Sequence, residues 1–206
     1  KYNEAIESYN RTIELDDATS YALLRIGKCY EKLGNLAKAI QYYNQTVHED
    51  PLLDKGWIAI TDFHLRQKNY QKALDVIKEN PNNVYGVASL FEQKVLLEQA
   101  LKAYDLGIAG NPSFNFDYQI ALLQGQLGNL ELMVDKLLDY AYRNPQNAPL
   151  VQSQLARFMM EDTQETFNGN LRKALLIRTQ KTQDIFWNQF LSWFFVQQKE
   201  YGKAFI

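Results

Sequence analysis

The stretch SYALLRIGKCYEKLGNLAKAIQYYNQTVHEDP, Ser20 to Pro51, sets bulky rings beside minimal side chains: Tyr30, Tyr42 and Tyr43 among Gly27, Gly34, Ala37 and Ala39. Residues three and four apart share one face of a helix. On that spacing Gly27 and Ala39 let two helix backbones approach closely, while Tyr30 and Tyr43 fill the space above and below. The segment therefore reads as a helical hairpin with its turn at Gly34 and its second helix ending before Pro51. Burying one large side chain contributes roughly 1.5–3 kcal/mol, against roughly 1–2 kcal/mol to order each residue. A lone hairpin leaves part of its apolar face wet, so it needs a neighbour on each side.

Those neighbours are present in the chain. Aligning YNEAIESYNRTIELD (2–16), LAKAIQYYNQTVHED (36–50) and YQKALDVI (70–77) brings Ala5, Ala39 and Ala73 into register at two equal intervals of 34 residues. A period of that length marks a repeat architecture. Prolines punctuate it at Pro51, Pro81, Pro112 and Pro145, each lacking an N–H and disfavouring helix at the residue before it. Pro149 instead suits the first turn of a helix.

This pattern resembles the tetratricopeptide repeat, a helix–turn–helix unit of the same period. One unit holds Leu23, Ile26, Gly27, Tyr30, Gly34, Leu36, Ala39, Tyr43 and Pro51. The next has Trp57, Ile60, Tyr70 and Ala73, with Thr61 in place of the small residue and Lys68 in place of the turn glycine. A third has Val84, Val87, Ala88, Phe91, Leu97, Ala100, Tyr104 and Pro112; a fourth has Ile120, Ala121, Gly128, Leu130, Met133, Leu137 and Pro145. Beyond these the match thins: Leu155 and Ala156 suit a first helix, Ala174 arrives late, and EDTQETFNGN (161–170) reads as an enlarged turn. A last unit with Leu191, Ser192, Phe195, Tyr201 and Ala204 stops inside its second helix. The resemblance implies an all-α, right-handed α-solenoid of such hairpins (an alpha-alpha superhelix), and a bacterial protein.

Three regions are expected: 1–77 with regular repeats, 78–145 with two more, and 146–206 with divergent repeats, the last truncated. Pro51 and Pro81 lie closer together than Pro112 and Pro145, so the helix from Tyr70 is expected to be about a turn short. Two readings follow: a natural shortened repeat, or a junction near Lys78 that breaks the stacking. The run DIFWNQFLSWFFVQQKEYGKAF (184–205) carries aromatics around more than one helical face, which fits a helix covered on both sides and further repeats after it; an exposed docking patch is the other reading.

Composition narrows the function. Among 206 residues, 22 Lys and Arg face 24 Asp and Glu, a formal charge of −2, which argues against nucleic acid as the main partner. The cluster Arg172, Lys173, Arg178 and Lys181 reads as a solvated face near a helix C-terminus. One cysteine, Cys29, allows no intrachain disulfide and reads as a packed thiol. No apolar run approaches the roughly 20 residues that span a bilayer. A soluble protein is expected, with its compartment open between cytoplasm and periplasm. The chain opens in mid-pattern at KYNEAIESY, so a processed N-terminus would leave no trace.

Catalytic chemistry finds little to work with. Asp62 and His64 are two apart on a helix and point apart; His48 lies near a helix end, where its charge suits the dipole. No His/Cys cluster has metal-ligand spacing, and the glycines around Gly125 and Gly128 make a helix end rather than a phosphate loop. No catalytic, cofactor or metal residue is assigned, and the chain reads as a non-enzyme. What the resemblance implies is a concave groove for a peptide or partner protein, lined by the first helix of each unit. Residue by residue this gives Tyr21, Leu24, Lys28 and Glu31; Lys55, Ile58, Asp62 and Leu65; Asn82, Tyr85, Ser89 and Glu92; and Asn115, Tyr118 and Leu122. For Tyr85 and Tyr118, packing between repeats is the competing role. Chaperone-binding members of the family hold a C-terminal carboxylate at fixed groove positions, matched here by Leu24, Lys28, Ala59, Asn82 and Gly86; Ala59 and Gly86 offer nothing polar, so that clamp is absent in this register. The expected function is a protein-interaction scaffold or adaptor. Other readings are an accessory or regulatory domain of a larger enzyme or assembly, or a structural spacer.

Overall fold

The computed structural model describes residues 1–15, 18–162 and 165–204. Among the described residues there are twelve α-helices and no strand. They fall into two compact units, Lys1–Phe114 and Asn115–Ile206. The first unit holds α1 (Tyr2–Glu14), α2 (Thr19–Lys32), α3 (Leu36–Glu49), α4 (Asp54–Arg66), α5 (Tyr70–Glu79), α6 (Val84–Gln93) and α7 (Leu97–Gly110). The second holds α8 (Asp117–Gln126), α9 (Leu130–Arg143), α10 (Ala148–Glu161), α11 (Thr166–Lys181) and α12 (Ile185–Gln197).

In the first unit α2/α3, α4/α5 and α6/α7 are hairpins, and α1 packs on α2. Successive hairpins stack, with α3 on α4, α4 on α6 and α5 on α7. The small residues sit where helices cross. Ala39, Ala73, Ala88 and Ala100 are fully buried. At Gly27 an added Cβ would lie 2.6 Å from the ring of Tyr43, so the absence of a side chain there is what admits the ring. That ring is buried too and meets Phe63 of α4 edge-on at 6.1 Å, carrying the small-against-large contact into the next hairpin. Tyr30 stacks on Tyr42 at 5.4 Å beside the cluster of Ile6, Ile26 and Cys29. Thr61, the replacement for a small residue, is fully buried, its hydroxyl donating to the Trp57 carbonyl at 2.9 Å.

Five of the turns that follow helices share one backbone shape. Gly34 N donates to Glu31 O at 3.0 Å and Asn35 N to Tyr30 O at 2.9 Å; the same pair of bonds recurs at Lys68/Asn69, Val95/Leu96, Gly128/Asn129 and Lys199/Glu200. This closure requires positive φ, which is 78° at Gly34 and 83° at Gly128 but also 56° at Lys68, 57° at Val95 and 60° at Lys199. Three of the five turns thus hold a side chain in the left-handed region that favours glycine.

Helix α5 is ten residues long against fourteen in α3, as the proline spacing predicts. A 3₁₀ turn at Pro81–Asn83 leads directly into α6. No break in stacking follows Ile77: α5 packs on α6 and α7, and Val84 occupies the space a Cβ on Gly107 would need. Of the two readings at Lys78, this continuous packing favours the shortened repeat over the junction.

The second unit has its own core, in which Ala121, Met133, Leu137, Leu138, Ala141, Val151, Leu155, Leu171 and Leu175 meet Trp187, Phe190 and Phe194 of α12. Ile185 and Val196 of that helix are exposed. The enlarged turn expected over 161–170 includes residues 163 and 164, outside the described residues. Arg178 corrects the reading of its basic cluster as a solvated face. It is 18% exposed, donates to Asp135 at 2.9 Å and Asp139 at 2.8 Å, and lies over the Trp187 ring at 5.5 Å. Among the described residues no helix is long and apolar enough to cross a membrane, and no three His, Cys, Asp or Glu side chains are grouped as metal ligands.

Candidate functional site

Helices α2, α4 and α6, the first helices of three hairpins, wall an open cavity of about 720 Å³ inside the first unit. Lys28, Glu31 and Lys32 come from α2, Lys55, Ile58, Ala59, Asp62 and Arg66 from α4, and Leu90 from α6. Side chains four apart on each helix project to one side, so the stacked hairpins bring their rows together.

A polar network anchors the wall. Arg66 donates from Nε to Glu31 Oε1 and from Nη2 to Glu31 Oε2, both at 2.8 Å, and from Nη1 to Asp62. The Tyr43 hydroxyl donates to Glu31 Oε2 at 2.8 Å. Burial, and then the Glu31 carboxylate, pushes that hydroxyl well above the ordinary phenol value. Burial works against the charge of Arg66, but Asp62 and Glu31 outweigh it and hold the guanidinium above its ordinary value. A bidentate guanidinium–carboxylate pair fixes geometry as well as charge, so α2 and α4 are locked at the cavity wall.

The arrangement recurs in part. Glu92 and Tyr104, twelve residues apart like Glu31 and Tyr43, are joined at 3.0 Å. Between them, Leu65 and Ile77 stand 34 residues after Glu31 and Tyr43 and are buried. An apolar pair there substitutes for the carboxylate and phenol.

Of the expected groove residues, Lys28, Lys55, Ile58 and Asp62 come together on this cavity, with Glu31. Leu24 does not line it: at 2% exposure it belongs to the core, and the same correction applies to Leu65 at 6%. Tyr21 is exposed on α2 and accepts a hydrogen bond from Arg25. Asn82 lies at the 3₁₀ turn before α6, its N–H held by Asn80 Oδ1 at 3.2 Å. Tyr85 is exposed, and the Ser89 hydroxyl accepts from Gln93 Nε2 at 3.3 Å. Gly86 faces Ile58, whose Cδ1 would be 2.5 Å from an added Cβ. Asn115, Tyr118 and Leu122 lie in the second unit. There Asn115 Oδ1 accepts from Asp117 N at 3.0 Å, and Tyr118 packs half-buried against Tyr140 at 5.5 Å. Arg66, which ties the wall together, was missed. Its only signal in the sequence was the i,i+4 spacing from Asp62.

Comparison with known proteins bears on the same helices. Residues 21–52, which span α2 and α3, match the family model described as tetratricopeptide repeat. The chain carries a tetratricopeptide repeat. Over 87 residues it is 29% identical to Hsp70-Hsp90 organizing protein 1 of Glycine max, an overlap covering 40% of this chain and 15% of that protein's length. Among solved structures, MamA aligns with 72% of this chain and 91% of its own at 18% identity and a TM-score of 0.40. A tetratricopeptide repeat protein from Parabacteroides merdae aligns with 90% of this chain and 75% of its own at 16% identity and a TM-score of 0.41. The repeat matched over 21–52 supplies Lys28 and Glu31 to the cavity wall, and the next hairpin supplies Lys55, Ile58, Asp62 and Arg66.

Proposed function

We propose that the chain is a protein-interaction module that holds an extended segment of a partner protein in the α2–α4–α6 cavity. The observation that carries this reading is the composition of the wall. Charged groups from α2 and α4 line the cavity together with Ile58, Ala59 and Leu90, on a framework tied by Glu31 and Arg66. A pre-organised wall spares a ligand the cost of ordering it. Apolar groups flanked by orienting polar ones are the usual make-up of a binding surface. The tetratricopeptide match over residues 21–52 supports the same role. Tyr85, exposed on α6, is a further candidate contact in this unit.

The test is selection of peptides from an unbiased display library against the whole chain, followed by affinity measurement with Lys55→Trp. Lys55 is exposed and lines the cavity, so the indole fills space without disturbing the core. Selected peptides are expected to lose at least about tenfold in affinity, which corresponds to about 1.4 kcal/mol. Peptides that bind the variant and the parent equally would place the interaction elsewhere.

A further inference from the structure

We propose that the occupant of this cavity is an internal acidic segment of the partner, held through side-chain carboxylates. The proposal rests on the binding role above and adds the chemistry of the ligand. Four cations line the cavity, Lys28, Lys32, Lys55 and Arg66, against three anions, Glu31, Asp54 and Asp62. Two of the anions are already engaged: Glu31 takes Arg66 and Tyr43, and Asp62 takes Arg66. Asp54 sits in the first turn of α4, where the helix dipole favours a carboxylate. The lysines are different. Among the described residues none of Lys28, Lys32 and Lys55 has an ion-pair partner, so their charges are available to an occupant.

On α2 the Tyr21 hydroxyl is held below the ordinary phenol value chiefly by the hydrogen bond from Arg25, with Lys55 and Lys28 adding smaller attractions. Arg66 is paired with both Glu31 and Asp62 and so adds no net positive charge, but two of its five N–H donors stay unengaged and the side chain is 41% exposed.

The form of the anion follows from the wall. A small free anion would leave Leu36, Ile58, Ala59 and Leu90 uncovered, whereas a chain with side chains covers them and meets the lysines together. Lys28 and Lys32 stand one helical turn apart on α2 and Lys55 comes from α4. Lysines are flexible point charges rather than a fixed fork. Spread over two helices, they suit several carboxylates along a strand better than one carboxylate at a chain end.

The probe is fluorescein-labelled hexaglutamate, acetylated and amidated so that no terminal carboxylate remains, with blocked hexaglutamine as its neutral counterpart. Fluorescence anisotropy with the whole chain is expected to show binding of the glutamate peptide alone, weakening as salt rises. Lys28→Gln/Lys55→Gln is expected to weaken it about tenfold or more, while Lys28→Arg/Lys55→Arg and Lys102→Gln on exposed α7 surface leave it within about twofold. Equal binding by the Gln/Gln variant would overturn the proposal, and so would equal binding of the blocked hexaglutamine. If library-selected peptides depend on an open Lys55 position while hexaglutamate fails to bind, the acidic assignment falls and the binding role stands.

Discussion

At Gly27 a methyl group would stand 2.6 Å from Tyr43 Cε1 and 3.3 Å from the Ala39 carbonyl. The ring cannot swing aside cheaply, because its hydroxyl is tied to Glu31. Gly27→Ala should therefore destabilise the chain by about 1–3 kcal/mol in urea unfolding, despite the better helix propensity of alanine. Gly86→Ala is the control: its one close contact is the terminal Cδ1 of Ile58, which can rotate away, so stability should change by under about 1 kcal/mol. A loss equal to that at Gly27 would contradict this reading. The opposite sign is expected at Val95, a β-branched residue held at φ 57° in an exposed turn. Val95→Gly should raise stability by about 0.5–1 kcal/mol, read from the same unfolding curves. His64 makes a pH prediction. Burial, then Lys72, holds its imidazole below the ordinary value, with Asp75 opposing. A base whose folded pKa is depressed contributes stability above its unfolded pKa of about 6.5 and loses it as pH falls through the folded value. Urea midpoints should accordingly drop on acidification, and less steeply in His64→Gln.

Between elements, the Glu31–Arg66 pair joins helices 35 residues apart in sequence. Arg66→Ala strips Glu31, itself 16% exposed, of its bidentate partner and should cost about 1–2 kcal/mol. A double-mutant cycle with Glu31→Gln should return a coupling of about 0.5–1.5 kcal/mol, and additivity would show that the pair does not link the hairpins. This is also where legibility in the sequence changes. The hairpins could be read from the 34-residue interval between Ala5, Ala39 and Ala73 and from the small residues at crossings, because local spacing fixes which helical faces are apolar. The short α5 could be read from proline spacing for the same reason. Arg66 could not, since its partner is set by how one hairpin docks on the next. Leu24 was misplaced because family position alone assigned it to the groove, whereas its apolar side chain is taken into the core.

For the whole chain, proline spacing located the short α5, the helices on either side of Lys78 pack together, and the units divide between Phe114 and Asn115. Prolines report where helices stop, not which helices touch. Each unit encloses its own core, and the candidate cavity belongs wholly to the first. Amide hydrogen exchange by mass spectrometry, on the whole chain with and without a library-selected peptide, tests the binding account most directly. Added protection should appear over residues 24–32 of α2 and 55–66 of α4, with α1 unchanged. Protection confined to α1, or to helices of the second unit, would contradict the assignment of this wall as the binding surface.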